Sequence, residues 1–218
     1  MRRFLVFVVL AVMAIGSIAP AAIAGGKPHK SRYSSSGFYT SWRERQRISS
    51  DSYYRISWYV SAYASQEGRR DFFSAYVSRY QSKCTVETTS RTRCHTVSRL
   101  FGVRRDPADV HYTADKDLAT ASLSGAFRLR DRRHGEVLEV KNVEVSANLT
   151  GTGEIYRSRS SYTIWDGKCP EARYRFEYQQ IRALADVTVT GDFDVTLTDH
   201  KNASIWKDEG SVLRRKCD

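Results

Sequence analysis

The chain has 218 residues, of which 41% are hydrophobic and 27% charged, with a formal net charge of +11. That length and apolar share are enough to bury a core, which excludes a disordered or collagen-like polymer. The positive balance favours contact with anionic surfaces, but acidic residues are interleaved along the chain, and a solvated surface is the simpler account of most of the charge.

The N-terminus has the layout of a secretory signal. Arg2 and Arg3 precede an apolar run from Phe4 to Ile15, and Ala22-Ile23-Ala24 forms a small-x-small cleavage site. The run falls short of the roughly 20 residues that span a bilayer. Residues 1–24 are therefore expected to be removed, leaving no transmembrane anchor and a secreted or cell-envelope protein. Arg2 and Arg3 leave with the signal, so the mature charge falls to +9.

Residues 25–50 are Gly/Ser-rich and basic, and they read as a flexible tail whose end is tacked to the body by Phe38 and Trp42. From residue 51 the hydrophobic period becomes two, and residues 51–218 read as a single β domain. Tyr53–Ser65 and Arg70–Lys83 alternate around a four-residue loop, Gln66–Arg69. Pairing Ser65 with Arg70 sets Tyr59 opposite Tyr76, Tyr63 opposite Phe72 and Arg55 opposite Tyr80.

Short strands at Thr85–Val86 and Cys94–Val97 follow, then a turn at Asp106–Asp109. Next come a strand over Ala119–Leu129, a turn over Asp131–Glu136 and a strand over Val143–Ile155. Alternation then continues through Arg173–Tyr178 and Ile181–Leu197. The phase slips at Lys141–Asn142 and Gln179–Gln180, which predicts a bulge or bend at each. No segment of the body has a capped helical period. The expectation is an all-β antiparallel fold, a β-sandwich or flattened barrel of long strands.

Four cysteines in an exported chain suggest two disulfides. Cys84 and Cys94 flank a hairpin turn, and Cys169 with Cys217 would then tie down the C-terminus; four cysteines allow three connectivities. There is no CxxC or histidine ligand pair, so no metal site and no cofactor are expected.

The run Thr150-Gly151-Thr152-Gly153-Glu154-Ile155-Tyr156-Arg157 resembles the Thr-Gly-Thr-Gly-x-x-Tyr-Arg stretch of a loosely defined set of exported bacterial β-proteins, mainly actinobacterial. The resemblance implies an exported β-fold and brings no catalytic residue with it.

Catalytic motifs are missing: there is no GxSxG, P-loop or dinucleotide fingerprint. His29, His95, His111, His134 and His200 form no motif. Asp115 with Asp117, and Asp192 with Asp194, are spaced to share a strand face, where a solvated outer face is the plainer reading. The first hairpin supplies the candidate ligand surface. Tyr59, Tyr63, Tyr76, Phe72 and Arg55 share one face, and aromatic rings among Ser and Arg suit flat recognition of sugars or wall polymers. The competing account is burial under a second sheet. A second candidate, for anions, is the arginine set Arg128, Arg130, Arg132, Arg133, Arg157 and Arg159. The function these features favour is a non-catalytic exported binding protein whose partner is an anionic cell-wall polymer or a glycan, with nucleic acid not favoured. The alternative is a carboxylate-dependent envelope hydrolase.

Overall fold

A computed structural model describes residues 29–88, 91–105, 108–133, 136–166 and 169–214; of Arg70, Arg132, Arg133, Glu136, Asp166, Cys169 and Pro170 only the backbone is described. The expected signal segment, residues 1–24, lies outside the described residues. The described chain forms β1 (His29–Arg47), β2 (Ser52–Glu67), β3 (Arg70–Thr88), β4 (Arg91–Arg105) and β5 (Val110–Ala114). These are followed by β6 (Thr120–Arg133), β7 (Glu136–Asp166), β8 (Cys169–Gly191) and β9 (Val195–Arg214). Every pairing is antiparallel, and the strand order is β4-β3-β2-β1-β9-β8-β7-β6-β5.

One further pairing changes the architecture. Leu100 and Phe101 of β4 pair with Asp131 and Arg130 of β6, so eight strands close on themselves and β5 fills the remaining length beside β6. The all-β antiparallel expectation stands. Of its two forms the structure shows the barrel, because all nine strands lie in one sheet. An eight-stranded barrel has an interior that side chains can fill. Here Phe38, Trp58, Val60, Val77, Leu123, Phe127, Val145, Leu149, Val187 and Ile205 fill it, each at most 2% exposed. The facing positions on β6, β7 and β8 include Arg128, Glu144, Ser146, Asn148, Arg182 and Thr190, all exposed. Apolar inside and polar outside is the reverse of a lipid-embedded barrel. Among the described residues no helix is long and apolar enough to cross a membrane.

The expected tail over 25–50 requires correction. His29–Arg47 is β1, held between β2 and β9 in the middle of the sheet. It carries Phe38, Thr40 and Trp42 into the barrel, where Trp42 stacks on Trp58 at 5.7 Å. Its opposite face is small for a packing reason. Gly37 stands across from Tyr63 on one side and Trp206 on the other. Those two rings meet over it, stacked at 5.7 Å. A Cβ on Gly37 would lie 2.6 Å from the Ala62 carbonyl oxygen and against the Trp206 ring. The Ser/Gly composition that reads as a linker is here the complement of neighbouring aromatic volume.

The first hairpin is tighter than the sequence suggests. Glu67 pairs with Arg70 around Gly68, whose φ is +62°, so the loop is two residues rather than four. The register therefore moves by two positions. A shift of two keeps every side chain on its face, but each aromatic now faces a serine: Tyr59 opposes Ser78, Tyr76 opposes Ser61, Tyr63 opposes Ser74 and Phe72 opposes Ser65. Tyr80 faces Ser57 rather than Arg55. The aromatic neighbours are diagonal, with Tyr59–Tyr76 centroids at 5.8 Å and Tyr63–Phe72 at 5.9 Å.

Three more expectations change. Ile181–Leu197 is not one strand: β8 ends at Gly191 and β9 begins at Val195, with Val189 paired back onto Val195. The alternation runs straight through this turn, so periodicity alone could not reveal it. Asp131 is not in a turn but 3% exposed within β6, where its carboxylate accepts the Arg99 backbone N–H at 3.1 Å beside the β4–β6 closure. The β6–β7 pairing runs without irregularity past Lys141–Asn142.

The slip at Gln179–Gln180 has a different cause from a bulge in β8, which runs evenly against β9 from Ala172 to Ala183. Its odd residues Ile181, Ala183 and Ala185 line the barrel, whereas its even residues Ala172 and Tyr174 form a second cluster with Val212, Tyr33, Ile164 and Phe176. Odd and even positions of one strand point to opposite faces. The sheet thus changes the side that it buries. β7 accommodates the change with two extra residues between Thr152 and Tyr156. Beyond it, β7, β8, β9 and β1 form an extension that curls the other way. Tyr174 of β8 reaches Glu67 of β2, three strands along, with a 3.2 Å hydrogen bond. On a flat sheet those strands would stand roughly 14 Å apart.

The barrel is shut off from the extension by the turn between β5 and β6, whose Leu118 is fully buried. At the other end Arg79 lies over the rings of Phe193, at 4.5 Å, and Trp58, at 5.7 Å.

Candidate functional site

The face of β2 and β3 opposite the barrel core is wider than the first hairpin. It continues across β1, β9, β8 and β7, and rings cross it in three groups. Tyr76, Tyr59 and Tyr39 form the first, with Tyr39 stacked on Tyr59 at 6.3 Å. Phe72, Tyr63, Trp206, Tyr178 and Tyr156 form the second, in successive contacts of 5.7 to 6.5 Å. Tyr33, Tyr174, Tyr162 and Phe176 form the third, in the hollow of the extension. Tyr59, Tyr63, Tyr76 and Phe72 are half-buried, and their neighbours belong to the same sheet. No second sheet lies over them among the described residues. Arg55 shares their face but sits at its far end, across from Arg45 and Ser82.

Burial by neighbouring rings raises the phenol pKa values. Tyr76 and Tyr178 are pushed up to about 12, and Tyr59 is raised. Tyr33 is held far above its ordinary value by the same cause. These hydroxyls stay protonated at physiological pH, and Tyr33 and Tyr178 donate theirs to Ser35 and Gln180.

A carboxylate sits among these rings that sequence reasoning did not single out. Asp208 of β9 stands directly between Ser35 of β1 and Tyr178 of β8, with Trp206 and Gly210 two residues to either side. Ser35 Oγ donates to its Oδ2 at 3.1 Å, and the Tyr33 hydroxyl donates to Ser35 Oγ at 3.2 Å. Its Oδ1 is buried with no hydrogen-bond partner. Burial raises the Asp208 pKa to about 6, against the lowering effect of the Ser35 hydrogen bond. The signal was present in β9, where Trp206 and Asp208 alternate with Ile205 and Lys207, but nothing local shows that β9 lies beside β1.

The same face has a second carboxylate, already engaged. Arg214 grips Glu67 with Nε to Oε1 at 2.5 Å and Nη2 to Oε2 at 2.8 Å, and also reaches the Tyr174 hydroxyl at 3.0 Å. The Glu67 hydrogen bond raises the Arg214 pKa, so this cation stays charged.

The arginine candidates are not brought together. Arg128 and Arg130 lie on the outer barrel wall, opposite Asn142 and Val140 of β7. Arg157 and Arg159 pair with Gln179 and Glu177, on the other face of the sheet. From Asn142 to Arg157 the chain runs roughly 50 Å along β7. The side chains of Arg132 and Arg133 are outside the description.

Three of the four carboxylates noted from spacing are engaged at turns. Asp115 accepts the Thr120 hydroxyl at 2.6 Å, Asp117 accepts the Ala119 N–H at 3.1 Å, and Asp192 accepts the Asn142 N–H at 2.7 Å. His200 Nε2 lies 2.8 Å from the Ser41 carbonyl oxygen, where β9 splays away from β1. A cavity of about 460 Å³ opens there, lined by Trp42, Trp58, Tyr59, Tyr80 and His200. Among the described residues no cluster of three or more His, Cys, Asp or Glu side chains could hold a metal ion.

Cys84 and Cys94 form the expected disulfide and are direct cross-strand partners in β3 and β4. The pairing of Cys169 with Cys217 lies outside the described residues. No protein-family model, curated protein or solved structure matches the chain.

Proposed function

We propose that this is an exported, non-catalytic binding protein that holds a glycan or glycan-bearing wall polymer on the aromatic face of its sheet. The observation that supports this most is the extent of that face: rings from six strands cross it in three groups, most of them half-buried, with no second sheet above them among the described residues. Rings fixed by their neighbours present apolar planes at little entropic cost, and the interleaved serines and phenols supply donors and acceptors for sugar hydroxyls. An anionic polymer suits the stretch around Trp206 and Tyr178 less well, because the Asp208 carboxylate lies there while Arg55 sits at the far end of the face. The arginines that would favour an anion are divided between opposite faces.

The proposal includes removal of residues 1–24, an extracytoplasmic location, and kinship with the exported β-proteins that share the Thr-Gly-Thr-Gly-x-x-Tyr-Arg stretch. It also includes a second disulfide. Its partners would be Cys169 and Cys217, the two cysteines left once Cys84 and Cys94 are joined. Peptide mapping of the secreted protein without reductant should recover both bridged peptides and an N-terminus at Gly25.

Retention on insoluble cell-wall glycan and on a glycan array tests the binding reading. Tyr59→Ala combined with Tyr76→Ala should weaken retention about tenfold, the equivalent of roughly 1.4 kcal/mol. Wild-type protein that passes through every glycan matrix would remove the proposal. Hydrolysis is less well supported. A carboxylate mechanism needs two free carboxyl groups across the scissile bond, and Glu67, the other acid near Asp208, is taken by Arg214.

A further inference from the structure

The surroundings of Asp208 have a chemical sign. The titratable and charged groups facing it are Tyr33 and Tyr39 from β1, Tyr63 and Glu67 from β2, and Tyr156 and Tyr162 from β7. β8 adds Tyr174 and Tyr178, and β9 itself adds Arg214. The phenols are neutral. Glu67 and Arg214 neutralise each other through two hydrogen bonds. What remains is a single negative charge among electron-rich rings, with one oxygen unpartnered.

The space near it also has a shape. Gly210 follows Asp208 on the same face in close approach to the Arg175 carbonyl and Phe176, and the rings of Tyr33 and Phe176 meet at 6.3 Å from the strands on its two sides, which closes the hollow on that side. Trp206 stands on the other side of Asp208, and Tyr178 beside it. Tyr33, Tyr178 and Trp206 are each only half-buried, and Tyr162 is 43% exposed, so these rings are reached from solvent.

Resting on the reading of this face as a binding surface, we propose that Asp208 and the rings of Trp206, Tyr178 and Tyr33 hold the ammonium group of a cationic organic ligand, either a protonated amine or a quaternary ammonium. Ring faces attract a cation through their quadrupoles, and more strongly where water is displaced. With Glu67 engaged by Arg214, the Asp208 carboxylate supplies the counter-charge. A neutral group of the same shape would gain the apolar contact but not the charge, and an anion would be repelled. Protonation of Asp208 would abolish the charge, so binding should strengthen as pH rises through the titration of this group near 6 and level off above it.

The test is titration of the full-length mature protein with tetramethylammonium chloride, followed by tryptophan fluorescence and by NMR shifts. tert-Butanol serves as the neutral isostere, and sodium chloride controls for ionic strength. Saturable binding of tetramethylammonium is expected at pH 7.5, at least tenfold weaker at pH 4.5 and in Asp208→Asn, with no saturable response to tert-butanol. Tyr178→Leu, which keeps the carboxylate and removes a ring, should weaken binding several-fold. If Asp208→Asn fails to fold, the pH dependence and Tyr178→Leu carry the test. The proposal is overturned by a wild-type response that does not saturate, that tert-butanol reproduces, or that survives both the low pH and Asp208→Asn. Tetramethylammonium binding that depends on Asp208, in a protein that no glycan matrix retains, would uphold this site while removing the polymer reading.

Discussion

The barrel and the extension share β1, β7, β8 and β9, yet they are held together differently. In the barrel, β1, β7, β8 and β9 turn aliphatic and indole side chains into an interior enclosed on all sides, and residues such as Val60, Val77, Ala185 and Val189 have no exposure at all. In the extension the same strands bury the opposite face, and among the described residues the buried apolar cluster there is Ala172, Tyr174 and Val212, with Tyr33, Ile164 and Phe176 partly buried against it. The barrel's stability comes from aliphatic area removed from water. The extension relies on rings, one Arg–Glu pair and a carboxylate that is poorly solvated. A region with few fully buried apolar groups opens at lower free energy than one with many. A tightly packed body and a more easily opened extension thus coexist in one sheet, separated by the change of side near Gln180.

The largest expected effect lies in the barrel. Trp58→Ala should lower unfolding free energy by about 3–5 kcal/mol, measured by urea denaturation. Tyr174→Ala in the extension should cost less than half as much; equal losses would erase the distinction between the regions. Next comes the clasp on β3 and β4. Replacing both Cys84 and Cys94 by serine removes a short closed loop and should cost roughly 3 kcal/mol on the chain-entropy account, read from the shift in melting temperature.

At the seam, Gly37→Ala pushes a methyl group against Trp206 and the Ala62 carbonyl, for which about 1–3 kcal/mol is expected. Loss of the Tyr63–Trp206 contact, seen as a change in tryptophan emission, would show that the strain is taken up on the aromatic side.

The smallest effect distinguishes the extension most clearly. The folded-state pKa of Asp208 is raised from 3.8 to about 6, so between those values the folded protein holds its proton more tightly than the unfolded chain. Stability from this group is therefore greatest below about pH 4 and declines as pH rises to about 6. With the group partly exposed and screened, the decline should be about 1–2 kcal/mol. Asp208→Asn should flatten that slope and stabilise the protein above pH 6 while leaving it unchanged below pH 4. An unaltered pH profile in the variant would place the carboxylate in water.

The parts of this molecule that local pattern could reveal are those where one face is buried along a whole strand. Trp58, Val60 and Val77 alternate cleanly, and the aromatic set Tyr59, Tyr63, Tyr76 and Phe72 followed from the same period even though the register was off by two. β1 was hidden because its small residues answer to bulk on strands far away in sequence. Trp206, Asp208 and Tyr178 were hidden for a related reason: long-range pairing decides which strand lies beside β1, and no turn residue records it. The slip at Gln179–Gln180 was visible, but a bulge and a change of buried face leave the same trace in one sequence.

The pairing of β1 with β9 has a consequence for how the molecule is made. His29 lies against Arg214 and Thr40 against Ala203, so the first strand stays without one of its neighbours until the last has been synthesised. Pairings of such long sequence separation carry a large loop-closure cost and form slowly. The unfinished chain has an open sheet with two unsatisfied edges, and it remains threadable until its C-terminal residues arrive. In a protein that crosses a membrane unfolded, this delay would let folding wait for arrival, with the Cys84–Cys94 bond forming in the compartment where the sheet first closes.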